Sequence, residues 1–229
     1  MKKYTLPLIF SALILGVCMI IAAGRLTPNP ASVSVRGLCE REVMADRAIY
    51  PISYKESGDD LEELFKTVKA KNDIIRQFLK DRGFTDEEIT IGSPKLTDRM
   101  ADSYASNYRS RFTLNSVVSL CTDKVNEVIN LQSNLTSLLE QGIAVGSGND
   151  WENPVTFEFT SLNNIKPEMI EEANKNARDA ADQFAKDSHS KIGKILNASQ
   201  GLFSIENRDA NTPHIKRVRV VTYITYKLK

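Results

Sequence analysis

The segment from Pro167 to Lys191 constrains the fold of this 229-residue chain more than any other. Ile170, Ala173, Ala177, Ala180, Ala181 and Phe184 recur there at three- and four-residue steps, which in a helix places them along one stripe. A stripe built largely of alanine keeps bulk out of the space between helix and neighbour, so the helix can lie close against a sheet. The flanking segments supply strands for such a sheet. Val155, Phe157 and Phe159 alternate with Thr156, Glu158 and Thr160 before it, and Ile192-Gly193-Lys194-Ile195 and the Val-, Ile- and Tyr-rich stretch from Val218 to Leu228 follow it. The last stretch is dense enough in apolar residues to predict a central strand covered on both faces.

The rest of the chain repeats the mixture. Val33-Ser34-Val35-Arg36-Gly37 alternates as a half-buried strand does, and Ala48 to Tyr54 predicts a second strand. Asp59 and Glu62 resemble a capping box. The amphipathic helix that follows is expected to bury Leu61, Leu64, Phe65, Val68, Ile75, Phe78 and Leu79 and to stop at Gly83 in a left-handed conformation. Ile89-Thr90-Ile91 and Arg109 to Cys121 read as a third and fourth strand, separated by a polar loop carrying Tyr104 and Tyr108. A second helix is expected from Asp123 through Leu139 to Gly142, and the order helix, glycine, β-branched strand start therefore occurs twice. The expected fold class is α+β: mainly antiparallel sheets with three packed helices and two related α/β units.

The amino terminus carries an address. Lys2 and Lys3 precede an apolar run from Leu6 to Ala23, about 18 residues and at the lower edge of what spans a bilayer, which ends in Ala22, Ala23 and Gly24. Residues 1–24 are expected to be a signal peptide or an uncleaved membrane anchor, residues 25–32 with Pro28 and Pro30 a linker, and residues 33–229 the folded body. A lipoprotein cleaved at Cys18 fits less well, because Val17 stands where glycine or alanine is wanted. Export across a bacterial inner membrane to the periplasm or envelope follows. In that oxidising compartment Cys39 and Cys121, each at the end of an expected strand, are candidates for a disulfide, with two buried thiols as the alternative.

Chemistry is sparse. Thirty basic against twenty-nine acidic residues leave a formal charge of +1, without the electrostatic footprint of a nucleic-acid binder. The sequence has no dinucleotide-binding glycine fingerprint, no phosphate-binding glycine loop followed by lysine, no paired-histidine zinc helix and no nucleophile elbow. Its two histidines, His189 and His214, lack partners at metal-binding spacing, so no metal, cofactor or catalytic residue is assigned. The one enzymatic alternative is an envelope hydrolase drawing on Asp86, Glu87, His189 or His214. Gly146-Ser147-Gly148 is a turn cluster beside the single tryptophan. Trp151, Tyr104 and Tyr108 are candidates for an aromatic ligand or interface surface, or for anchors that hold their loops to the body.

Taken in order, several of these segments resemble the SIMPL domain family of bacterial envelope proteins. They are Val33-Ser34-Val35-Arg36-Gly37, Leu79 to Gly83 leading into Ile89-Thr90-Ile91, the Tyr104 and Tyr108 loop, and the helix start at Asp123-Lys124-Val125. The alanine-spaced helix, Ile192-Gly193-Lys194-Ile195 and Val218-Arg219-Val220 complete the set. The resemblance implies an exported α+β protein, periplasmic or envelope-held, with relatives that form large ring- or channel-like homo-oligomers and a loose tie to envelope or oxidative stress. It defines no catalytic residues. Cys39 and Cys121 depart from the family pattern, as does Met44-Ala45-Asp46 where a Pro-Asp pair is usual. The expected function is a non-catalytic envelope protein that self-assembles or binds an envelope partner, attached to the membrane through its amino-terminal segment if that is retained. The alternative is a module binding a small ligand in a cleft.

Overall fold

The computed structural model describes residues 14–20, 31–101, 109–146 and 153–229. Residues 14–20 are helical, with Ile14, Leu15, Val17, Met19 and Ile20 exposed. No helix among the described residues is long and apolar enough to cross a membrane. The body runs β1 (Ser32–Met44), β2 (Arg47–Gly58), α1 (Leu61–Lys80), β3 (Ile89–Ile91), β4 (Lys95–Asp98), β5 (Phe112–Thr122), α2 (Val125–Ser133), α3 (Thr136–Glu140), β6 (Thr156–Glu158), α4 (Leu162–Asp187), β7 (Ile192–Gln200), β8 (Ser204–Asn207) and β9 (Ile215–Leu228). The fold is α+β, with antiparallel sheets and helices packed on them.

The chain divides into two compact units. One holds Glu40–Pro167 and Ser204–Arg219. Its main sheet has the order β3-β5-β2-β6, with β4 also pairing β5. The β2–β5 ladder sets Tyr54 opposite Ser116 and Ile52 opposite Val118. All four are buried, so alternation along each strand turns this row toward the helices. α1 lays Leu64, Val68, Ile75, Phe78 and Leu79 on it, and Val125, Val128, Leu131 and Leu138 of α2 and α3 enlarge the same core.

The amino terminus of α1 is capped by Asp60, not Asp59. The Asp60 carboxylate accepts from the backbone N–H of Glu62 (2.8 Å) and Glu63 (3.0 Å), while Asp59 accepts instead from the backbone N–H of Arg111. Gly83, at φ +86°, ends the helix as expected, and Gly142 at φ +74° does the same after α3. Leu61 and Phe65, expected in the core, are exposed: they lie at the start of the helix and to one side of the buried stripe, which polar Asn72 continues instead. The second helix is broken in two at Asn134, whose side-chain Nδ2 donates to the backbone oxygen of Asn130 and competes with the helical ladder. Both helix-glycine segments belong to this one unit and share its core, but the β-branched stretch after Gly142 forms only an isolated bridge, Val145 to Tyr54, and no strand.

The other unit holds the chain up to Cys39 together with Glu168–Phe203 and Val220–Lys229. Here β1 pairs antiparallel with β9, the N–H of Leu228 donating to the oxygen of Ala31 and Ser34 Oγ meeting Thr225 Oγ1 at 2.9 Å. β7 pairs with the other side of β9. Along β9 buried and less buried residues alternate throughout, so this central strand is covered on one face only, not both. The covering element is α4. Its buried residues are Met169, Ala173, Ala177, Ala181 and Ala185, a strict four-residue spacing, whereas Ala180 and Phe184 of the expected stripe are exposed. A β-carbon built on Gly37 of β1 would fall 1.8 Å from the carbonyl oxygen of Ala173 and 2.6 Å from the backbone nitrogen of Ala177. The alanine stripe and this one glycine therefore bring helix backbone directly onto strand backbone.

Candidate functional site

β7 is the outer strand of its sheet, and its residues from Lys194 to Gln200 are exposed. The first half is irregular, with register shifts on both sides of Ile195. From Asn197 to Gln200 the pairing with β9 is regular, Asn197 opposite Thr225 and Gln200 opposite Thr222. The N–H of Gly201 donates to the oxygen of Val221, so by antiparallel alternation Ser199 bonds inward while Ala198 and Gln200 turn their backbone groups away from β9. Such an edge is normally blunted by lysine, proline or a bulge. The stretch Leu196-Asn197-Ala198-Ser199-Gln200 has no charge and no proline. Ile195 and Leu196 are about half exposed, at 55% and 49%, and Leu202 beyond the strand is 95% exposed. On the open face of the sheet Tyr223 is also exposed, with the Arg36 guanidinium 5.2 Å from its ring centre. This is a strand edge with unspent backbone donors and acceptors and apolar side chains at both ends, equipped for strand addition.

Residues 33–220 match the family model of SIMPL, described as a protein of unknown function (DUF541). That span opens on β1 and closes inside β9. The chain belongs to the SIMPL family. No curated protein matches it. In this SIMPL chain the glycine of the opening Val-Ser-Val-Arg-Gly segment is the residue that admits α4. Asp46, just before β2, also has a structural task. It accepts from the backbone N–H groups of Thr160 (2.7 Å) and Ser161 (2.8 Å) and from the Thr160 hydroxyl. Burial works against its charge, yet these hydrogen bonds hold its pKa below the usual value.

The remaining candidates fall differently. Tyr104, Tyr108 and Trp151 lie outside the described residues, as do Ser147 and Gly148. Cys39 is buried on β1 and Cys121 is exposed on β5, strands of different sheets. Asp86 is held by Lys80 (2.7 Å) and Arg76 (3.8 Å), and the Lys80 hydrogen bond lowers its pKa. His189 sits past the end of α4 at φ +54°, and His214 packs edge-on against Phe157 at 6.0 Å. No hydrogen bond or ion pair links these groups to one another among the described residues, and no group of three or more metal-ligating side chains occurs among them. The exposed edge went unremarked in the sequence because Ile195 and Leu196 are adjacent. In a strand, adjacent residues point to opposite faces, which periodicity alone cannot separate from a buried run.

Glu88 is one of the carboxyls that tie the stability of the unit holding β5 to pH. Burial opposes its ionisation, but the Thr122 hydroxyl, the backbone and side chain of Thr85, and Lys124 at 3.5 Å lower its pKa overall. A carboxyl with a depressed folded pKa contributes stability above its unfolded value of about 4.3, and that contribution is lost as the pH falls through the folded value. Urea midpoints taken from pH 6 downward will therefore decline below about pH 4.3, and the decline will be shallower in Glu88→Gln. Equal slopes in the two proteins would assign the acid loss elsewhere.

Proposed function

We propose that this protein is an exported, non-catalytic component of the bacterial envelope that works by assembling, through strand addition at β7, with further copies of itself. The observation that carries the reading is the open edge at Ala198 and Gln200, uncharged and flanked by exposed Leu196 and Leu202. A monomer that had no use for this edge would be under pressure to blunt it. Support for export comes from the two lysines and the apolar run at the amino terminus, whose described residues leave five large apolar side chains exposed to be buried by lipid or removed by cleavage. Membership of the SIMPL family agrees with an assembling envelope protein through the homo-oligomers that the resemblance implies.

The test is light scattering on the native protein extracted from its own envelope, beside Ala198→Pro. Proline at an outward-facing edge position removes a donor without breaking the ladder to β9. The expected result is a defined higher oligomer for the native chain, and monomer with unchanged circular dichroism for Ala198→Pro. A native chain that stays monomeric over a hundredfold concentration range would end the proposal.

A further inference from the structure

The β2–β5–β4 sheet has a second face, turned away from the helices, and it is not bland. Lys55, Asn115 and Lys95 lie directly opposite one another across β2, β5 and β4, so two lysines flank one asparagine in a single row. The next row brings Thr113 beside Thr97, and Arg99 follows β4 at the end of the same cleft. These six residues line a depression of about 220 Å³. Like charges set across a sheet cost stability unless something offsets them. For Lys95 and Arg99 the acidic neighbour in sequence does not serve: Asp98 takes the alternate position, which points the other way, and is engaged by Arg111. Lys95 and Arg99 have no ion-pair partner among the described residues. One polar atom in the row is also unspent, since Asn115 Oδ1 is buried from solvent and has no hydrogen-bond partner among the described residues.

We infer that this cleft is a binding site for a phosphate-bearing ligand with a neighbouring hydroxyl. Each part of that chemistry answers to a group present. Lys95, Arg99 and Lys55 supply charge-assisted donors to the phosphate oxygens, with the guanidinium able to donate twice. The hydroxyls of Thr97 and Thr113 can donate or accept. Asn115 Oδ1 is an acceptor only, so a bare anion leaves it unsatisfied, and a turn of the amide about its last torsion presents it to a ligand hydroxyl. A volume of about 220 Å³ is below the range of drug-sized pockets, roughly 300–1,000 Å³, and suits a phosphate with a short polyol rather than a nucleotide. For a chain whose net charge is only +1, three cations in one cleft are a local concentration of field. Nothing in the sequence marks the site, because its residues are spread from 55 to 115 and meet only through strand register. A soluble glycerol phosphate and the headgroup of a phosphatidylglycerol membrane both present this chemistry.

The experiment uses the full chain and two probes. Calorimetric titration with glycerol 3-phosphate, against sulfate as an anion lacking the hydroxyl, reads the soluble form. Co-sedimentation with phosphatidylglycerol vesicles, against phosphatidylcholine vesicles, reads the lipid form. Saturable binding of at least one probe is expected, weakened about tenfold by Lys95→Gln and by Arg99→Gln. The preference for glycerol 3-phosphate over sulfate should disappear in Asn115→Ala. Lys95 is exposed at a sheet edge, so its variant should keep the native melting temperature and isolate binding from folding. Co-sedimentation that depends on Lys95 and Arg99, with no calorimetric signal, would assign the site to a lipid headgroup. Binding of neither probe, or binding indifferent to both charge variants, would overturn the inference.

Discussion

Gly37→Ala will destabilise the protein by about 3 kcal/mol or more, the scale on which inserting atoms into a closed core acts. The added methyl falls 1.8 Å from the carbonyl oxygen of Ala173, 2.6 Å from the nitrogen of Ala177 and 2.8 Å from its β-carbon. Two of these three are backbone atoms of α4, so no rotamer change relieves the overlap, and the helix has to leave the strand. If it does, the small cluster of Val33, Ala177, Ala181, Ile224 and Tyr226 loses its closure, and alanine side chains have little reach with which to restore contact. Gly58→Ala is the matched control. A β-carbon there meets Leu64 at 3.7 Å, ordinary contact, so that change should be neutral or stabilise by about 0.5 kcal/mol through the unfolded chain. With a urea dependence of about 1–3 kcal/mol per molar, Gly37→Ala should move the denaturation midpoint down by roughly 1 M or more while Gly58→Ala leaves it nearly in place. A Gly37→Ala midpoint within 0.2 M of the native chain would mean that α4 does not press on β1 as described.

The same contact shows what the sequence made readable. Alanine spacing predicted a helix on a sheet, and the Val-Ser-Val-Arg-Gly strand was legible by alternation, because both signals follow from side-chain direction within one element. That Ala173 and Ala177 meet Gly37 is a relation between positions more than 130 residues apart, which local pattern does not carry. Similar reasons explain the errors. Leu61 and Phe65 are apolar and helical, and hydrophobicity alone places them inside; the buried stripe is fixed by where α1 crosses β2 and β5, and it passes through Asn72. β4 escaped notice because Lys95-Leu96-Thr97-Asp98 has the composition of a loop and is a strand only through its ladder to β5. The candidate sites divide along the same line. The open edge of β7 depends on which strands lack a neighbour, and the basic cleft on which residues share a row, so neither has a linear motif. Asp60 in place of Asp59 as the cap is a slip of one residue, the usual uncertainty at an element boundary.

Asn72→Leu should cost about 3–5 kcal/mol, although it replaces a polar residue by an apolar one of similar size in a hydrophobic core. Asn72 Oδ1 lies 2.9 Å from the hydroxyl of Tyr54 and 2.9 Å from that of Ser116, and all three residues are buried. Leucine removes the acceptor and strands Ser116, while Tyr54 keeps only the backbone oxygen of Val68, also at 2.9 Å. Leaving a buried donor unmade costs the desolvation of that group, about 1–3 kcal/mol each, and the branched side chain must also fit between strands packed for a planar amide. Tyr54→Phe removes one donor and leaves Asn72 with Ser116, so its cost should be nearer 1 kcal/mol. If the three act as one network, Asn72→Leu combined with Tyr54→Phe will be less destabilising than the sum of the single changes, and strict additivity would show the groups to be independent. Alkaline titration adds a second reading. Burial, helped by the nearby charge of Glu56, pushes the Tyr54 pKa up to about 12, against the opposing hydrogen bond from Ser116. A raised folded value means stability present below the unfolded pKa of about 10 and lost as the pH rises toward the folded one. Tyr54→Phe should flatten that alkaline loss, whereas a polar site open to water would leave native and variant proteins with the same slope.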